Sequence, residues 1–260
     1  MNKRSSWALP YAIFLILFVA LPLILIILYA FQDGSGNFTF ANFTKFFTDA
    51  DAIGTFALSL EVAIENTAIC ILLGYPAAWI LANKKYNRSA VTIVLFIMPM
   101  WINALMRTLA TAELFHMLGI QLGKGTLLIG MVYDYLPFMI LPIYNVLVKI
   151  DKSVLEASAD LGGDSGVTFR KVIFPLSIPG VISGISMTFM PAVTTFVISK
   201  LLGGGQNALI GDLIENQFKV TGDWGFGSAM SVVLMILILG AMQIMQRYED
   251  NNDDSGGVLL

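Results

Sequence analysis

Six stretches of about 20 mostly apolar residues recur along this 260-residue chain, each long enough for an α-helix to cross the hydrocarbon of a bilayer. They fall at about 7–31, 58–81, 91–109, 127–148, 176–199 and 228–246. Hydrophobic residues make up 57% of the chain and charged ones 13%, against about 25% charged in an ordinary soluble domain. A soluble core of this size could not hide that much apolar surface, so lipid must be the solvent for much of it. The expected fold is an all-α membrane protein with six transmembrane helices forming a single domain over residues 1–260. The first run is too long for a signal-peptide core and reads as a retained span. Cys70, the one cysteine, lies inside an apolar run, so no disulfide can form within the chain. Spans two and three carry more polar groups than the others, as expected of helices that face protein or water.

Basic residues set the orientation. Lys3, Arg4, Lys84, Lys85, Arg88, Lys149, Lys152, Arg170, Lys171 and Arg247 fall on one side of a six-span topology. Lys45, Arg107, Lys124, Lys200 and Lys219 fall on the other. Ten against five places both termini of this multi-pass protein in the cytoplasm. Residues 32–57 read as an ordinary outer loop, and residues 200–227 as a connection holding a short helix from Ile210 to Phe218. The acidic tail, 249–260, has the composition of a disordered segment. No internal repeat is evident, and six spans are half of many complete transporters, so a pore would need a second subunit.

The connection from Asp151 to Pro175 leaves the membrane yet is patterned as helix. Ser153 and Glu156 match a capping box. Gly162 and Gly163 end the turn, a second short helix runs through Phe169, and Pro175 opens span five, where a missing N–H costs nothing. By spacing alone this is either a linker or a stiff helix-turn-helix on which a partner docks.

Here the residues resemble a known family. Glu156-Ala157-Ser158, Gly162 three residues later, then Val172, Phe174 and Pro175 resemble the EAA loop of ABC-importer permeases, with Ser for Ala, Val for Ile and Phe for Leu. Gly74-Tyr75-Pro76, Leu136-Pro137-Phe138-Met139, Pro175-Leu176-Ser177 with Pro179-Gly180, Leu202-Gly203-Gly204, Ile210-Gly211, Gln217-Phe218 and Asp223-Trp224 are similar to the spermidine/putrescine branch. Trp101, Asn103 and Arg107 look closest to its B-type subunit. The resemblance implies a type I permease fold in the bacterial cell membrane and ATPase coupling through Glu156, Ala157, Ser158, Gly162 and Pro175. It also implies a homologous permease as heterodimer partner, two ATPase subunits and an extracytoplasmic substrate-binding protein. ATP and magnesium would belong to the ATPase, with no cofactor, metal or nucleic acid on this chain. Polyamines are the favoured cargo, with iron, thiamine, phosphonate or sulfate as alternatives within the superfamily.

Ionisable groups inside a membrane are costly and mark function by default. Asp134, about 10 Å into span four at 1.5 Å per residue, stands with Glu65, Asn66, Trp101, Tyr133 and Tyr135 as candidates for the substrate path, since carboxylates and aromatic faces attract ammonium groups. Asp134 could equally pair with Arg107 or with a residue of a partner subunit, and Glu61 nearer the mouth is a weaker candidate. Pro191 with Thr194 and Thr195 would kink span five and is a candidate gate. Gly180 and Gly184 form a small-xxx-small pair suited to close helix packing, and the methionines read as lipid-facing or core side chains. Gly119 to Gly125 falls one residue short of a phosphate loop and lacks its Ser or Thr. His116 stands without neighbouring ligands, and no nucleophile has a base at motif spacing. An intramembrane enzyme is thereby disfavoured, and so is a secondary transporter that works without an ATPase.

Overall fold

The structure is a computed structural model that describes residues 9–83 and 90–256. Lys3, Arg4, Lys84, Lys85 and Arg88, five of the ten residues that orient the topology, lie outside the described residues. Among the described residues, five helices are long and apolar enough to span a membrane: α1 (Pro10–Ala30), α3 (Ala50–Ala82), α6 (Lys124–Leu147), α8 (Ser165–Thr194) and α11 (Trp224–Gly256, spanning from Trp224 to Tyr248). A sixth is broken. Its first part comprises α4 (Ala90–Ile97) and a 3-10 turn (Met98–Trp101), and its second part is α5 (Ala104–Met117), bent from the first by 91°. Shorter helices are α2 (Ala41–Thr48), α7 (Lys152–Asp160), α9 (Val197–Leu202) and α10 (Ile210–Asn216).

Four expectations are corrected. Span three is not straight, because Pro99 tightens the backbone into a 3-10 turn, Ile102 is extended and Asn103 starts a new helix by accepting the Leu105 N–H at 2.9 Å. The connection 32–57 is not an ordinary loop but carries α2 and the first turns of α3. The tail is helical as far as Gly256, a continuation of α11. Span five does not run to Ser199, since Thr195 is extended (φ −64°, ψ 143°) and ends α8 before α9 begins.

Two other prolines leave their mark without breaking their spans. Pro22 and Pro175 each follow, by two residues, a five-residue π turn (Ile16–Ala20 and Phe169–Ile173). A proline has no N–H to donate and its ring crowds the carbonyl four residues back. Widening the preceding turn removes that conflict while the backbone stays bonded.

The chain divides into two compact units, Met1–Phe56 with Ile210–Leu239 and Ala57–Leu209 with Gly240–Leu260. In the first, α1 meets α11 through Ala30, Ala229 and Val232, with Ile26 and Phe43 beside them. Lys45 pairs with Asp223 at 2.9 Å and lies 4.0 Å from the centre of the Phe226 ring. Partial burial raises the Asp223 carboxyl, but the Phe226 N–H and Lys45 outweigh it and hold the group below the ordinary aspartate range.

In the second unit the core joins α3, α6 and α8 around Cys70, Tyr75, Ala78, Met139, Ile140 and Ile143. Glycines make that approach possible. A Cβ on Gly180 would stand 2.9 Å from the Pro142 carbonyl oxygen and 3.0 Å from Ile143 Cα, and one on Gly184 would stand 2.7 Å from Met139 Sδ. Gly74 on α3 meets the same methionine, its Cβ position 2.9 Å from Met139 Cγ. The small-xxx-small pair is therefore the seam of α6 and α8. Gly180→Leu should lower stability by about 1–3 kcal/mol through overpacking against backbone that cannot yield. Gly240→Leu, with open space around its Cβ position, should leave it unchanged. Thermal unfolding in lipid nanodiscs measures both, and equal stability of the two variants would refute the seam.

Candidate coupling loop and translocation path

The polar connection is a short helix, α7, folded back on the start of α8. Its cap is not the expected Ser153–Glu156 box. Asp151 is extended (ψ 139°) and its carboxylate accepts the Ser153 N–H at 3.1 Å, so Ser153 already lies inside the helix and Glu156 is free of capping duty and exposed. Aspartate two positions earlier wins because an extended residue with a short acceptor is what a helix start needs.

The helix ends in a Schellman turn. Gly163 donates to the Ser158 carbonyl at 2.9 Å and Gly162 to the Ala159 carbonyl at 2.9 Å, with Gly162 in the left-handed region at φ +77°. A Cβ on Gly163 would stand 2.7 Å from the Ser158 carbonyl oxygen, so both glycines are required by the backbone. Asp164 then caps α8 by accepting the Val167 N–H at 2.7 Å. The Ser158 and Thr168 hydroxyls are 2.9 Å apart and tie the two arms together. The second arm does not stop at Phe169: it passes through the π turn into the spanning part of α8, and Pro175 lies inside this continuous helix.

Below the loop, the motifs around Tyr75 and Ser177 meet. The Tyr75 hydroxyl is 2.8 Å from Ser177 Oγ, which reaches the Phe174 carbonyl at 2.8 Å. Trp79 stacks on Phe169 at 5.2 Å with ring planes 5° apart. No sequence period links these residues; the two motifs are marked by their resemblance to the family, and their pairing is visible only in the fold.

The path candidates do not converge on one wall. Asp134 is buried and faces Arg107, whose Nη2 lies 3.1 Å from Asp134 Oδ1, and Thr108 Oγ1 lies 3.2 Å from Asp134 Oδ2. The bend at Asn103 produces this pairing, because it turns Arg107, Thr108 and Phe115 of α5 inward toward α6. The guanidinium lies 5.6 Å from the centre of the Tyr133 ring, and its Nε and Nη1 are buried without a hydrogen-bond partner. Glu65 and Glu61, one turn apart on α3, both bind Lys124 Nζ, at 2.9 and 2.7 Å. A lysine at the start of α6 opposes the helix dipole and needs such counter-charge, a signal available in the sequence. Asn66 is wholly buried. Trp101 is 81% exposed and Tyr133 45% exposed. Tyr135 joins a path candidate to a gate candidate, since its hydroxyl donates to the Pro191 carbonyl at 3.3 Å. Thr194 Oγ1 reaches the Met190 carbonyl at 3.2 Å, but the helix gives way at Thr195 and not at Pro191.

With this geometry in view, residues 1–251 match the family described as the inner membrane component of binding-protein-dependent transport systems, and the chain belongs to it. Its fold is that of ABC-importer permeases, a family of transport components and not of enzymes. Among the similar proteins is the spermidine/putrescine transport system permease protein PotB of Escherichia coli K12, 36% identical over 254 residues, covering 89% of this chain and 92% of that one. PotB of Haemophilus influenzae is 33% identical over 260 residues, covering 91% and 90%. A solved bacterial ABC transporter that imports alginate matches with a TM-score of 0.68 at 14% identity, over 94% of each chain. The MetNI methionine transporter in inward-facing form matches with a TM-score of 0.62 at 15% identity, over 77% of this chain and 95% of that one.

The buried pair gives a prediction. Asp134→Asn strands the Arg107 cation and should cost about 3–5 kcal/mol of stability, whereas Arg107→Met with Asp134→Leu should recover most of it. Unfolding of the three proteins in nanodiscs tests this. A stable Asp134→Asn protein that no longer transports would instead assign Asp134 to the cargo.

Proposed function

We propose that the chain is the membrane permease subunit of an ATP-driven importer of polyamines, spermidine or putrescine. The observation that carries this is 36% identity across 89% of the chain to a permease bearing that function in its name. The chemistry is compatible: α3 holds an ammonium between two carboxylates, and Trp101 and Tyr133 offer aromatic faces.

In this reading the loop of α7 faces the cytoplasm with both termini, as the basic residues direct. Glu156, Ala157 and Ser158 contact the ATPase, Gly162 makes the turn, and α8 carries the motion past Pro175 into the membrane. Two ATPase subunits bind ATP and magnesium, a homologous permease completes the pore, and an extracytoplasmic binding protein delivers cargo. Glu65, Trp101, Tyr133 and Tyr135 remain path residues, with Asp134 and Asn66 supporting them from inside the bundle. Pro191, Thr194 and Thr195 form the gate, which yields at Thr195.

The test is uptake by the reconstituted complex with its binding protein, using spermidine and putrescine. Glu156→Ala and Gly162→Val should reduce uptake at least tenfold while the complex still assembles in the membrane. For Gly162 the left-handed backbone costs a non-glycine residue about 1–2 kcal/mol. Full uptake by both variants would overturn the coupling role. ATPase activity stimulated by another solute and by neither polyamine would overturn the cargo assignment alone.

A further inference from the structure

The end of α1 carries an aromatic surface that none of the transport roles uses. After Ala30 the chain makes a tight hairpin closed by the Gln32–Phe38 bridge. Asp33 fixes its tip by accepting the Ser35 and Asn37 N–H groups at 2.8 and 2.9 Å, and Gly36 supplies the left-handed residue at φ +82°. Asn42 of α2 then donates its amide to the carbonyls of Ala30 and Gln32, at 3.1 and 2.8 Å, so the hairpin, the end of α1 and α2 are held together. Gly225 at the start of α11 packs on the same asparagine, its Cβ position 2.8 Å from Asn42 Nδ2.

Four phenylalanines converge on this frame. Phe31 lies 5.5 Å from Phe38, 5.3 Å from Phe40 and 4.9 Å from Phe43, and Phe38 lies 5.2 Å from Phe40. Beside them, Trp224 lies 5.9 Å from Tyr29 and 5.2 Å from Phe218. Several of these rings are bare: Phe38 is 71% exposed, Phe40 61% and Trp224 54%, while Phe31 and Phe43 are half-buried beneath them.

We propose that this cluster is an interfacial anchor, seated where the hydrocarbon of the bilayer gives way to the lipid headgroups. The occupant follows from chain continuity. Phe31 is the first residue after a spanning helix and Trp224 the first residue of another, so their rings stand at the level where such helices leave the apolar slab. The side of α1 leading to them, Leu25, Leu28 and Tyr29, is exposed in the same way and must face lipid. The polar tip, Asp33 to Asn37, lies beyond the rings, as a segment in water should. Lys45 is engaged by Asp223, so neutral lipid suffices and acidic headgroups are not required. Trp and Tyr favour this zone because their apolar rings carry a polar atom, and Phe enters it as part of the apolar face of an interfacial segment. The anchor fixes the depth of α1, which meets little protein along its length. This inference requires only that the chain spans a membrane and is independent of the cargo.

The experiment uses the assembled complex in phosphatidylcholine nanodiscs. A Phe40→Trp variant, with the other four tryptophans replaced by Phe, is quenched by lipids carrying a nitroxide near the headgroup or near the chain terminus, and by aqueous iodide. Headgroup-proximal quenching should exceed that by iodide and by the deep label about threefold, as for a residue at the boundary. Where removing the native tryptophans prevents assembly, the difference in quenching between Phe40→Trp and its otherwise native parent gives the same comparison. Dominant quenching by iodide would overturn the anchor. So would a tryptophan that no lipid label reaches and that iodide loses only when the extracytoplasmic binding protein is added, which would make the cluster a protein-docking face. Failed polyamine uptake with headgroup quenching intact would bear on the cargo alone.

Discussion

The close approach of α6 and α8 governs what the second unit can do. Two glycines one turn apart, Gly180 and Gly184, let the backbone of α8 lie against Pro142, Ile143 and Met139 of α6. In lipid there is little hydrophobic drive to bring two apolar helices together, so association rests on van der Waals fit and on polar groups finding partners. The seam supplies the fit, and polar contacts flank it: Tyr75 of α3 with Ser177 of α8 toward the loop, and Tyr135 of α6 with the Pro191 carbonyl of α8 toward the other end. A proline frees a carbonyl in its own helix, and the neighbour must keep such groups from standing open in hydrocarbon. α6 can lie this near because the glycines of α8 have no side chain.

The same economy governs charge. The proposed polyamine cargo invites the expectation of bare carboxylates along its path, but Asp134, Glu61 and Glu65 are all answered by a cation of the chain itself. An unpaired carboxylate inside a membrane protein is costly, and a strong trap for a polycation would hold cargo without releasing it. The two pairs differ in kind. Arg107 and Asp134 are shut inside the bundle and serve its shape, with the Arg107 guanidinium near one face of Tyr133. Lys124 sits across two carboxylates that are partly exposed, and its ammonium is chemically the same group that terminates a polyamine. Exchange of one ammonium for another at such a place involves little net change in charge pairing, which is the condition for a site that both accepts and yields.

The spanning helices were legible because twenty apolar residues in a row have few other uses, and the small-residue pair in span five was legible because its spacing equals one helical turn. The resemblance of Glu156 to Gly162 to the EAA loop was legible as an ordered pattern of residues. What stayed hidden had a common cause: it depended on where the backbone bends or on a partner distant in sequence. Pro99 and Asn103 mark a break in span three only once it is known that Ile102 is extended. The true cap of α7 lies two residues before the plausible one, and Ser and Asp compete on nearly equal terms at such positions. The pairing of Lys124 with Glu61 and Glu65 joins residues some sixty positions apart. The acidic tail looked disordered by composition, but a helix already running through α11 needs no new nucleus to continue, and elongation is cheap once nucleation is past.

That last point bears on how a signal could cross from the loop to the membrane. A helix carries displacement only where it is not interrupted, and α8 is uninterrupted from Ser165 to Thr194. Pro175 ought to have broken it, yet the π turn just before absorbs the missing bond and leaves the rod continuous. At the loop end, the Schellman turn at Gly162 and the Ser158–Thr168 contact fix α7 to α8 at two points, so that α7 cannot swing freely about the turn. Force applied at Glu156 would thus reach the rod as a rigid displacement. It would be felt where the rod ends, at Thr195, where the backbone is extended and no helical bond resists a change of angle. Stiffness at one end and compliance at the other are both built by the backbone, and Tyr135 of α6 holds the Pro191 carbonyl one turn before the place where the helix yields.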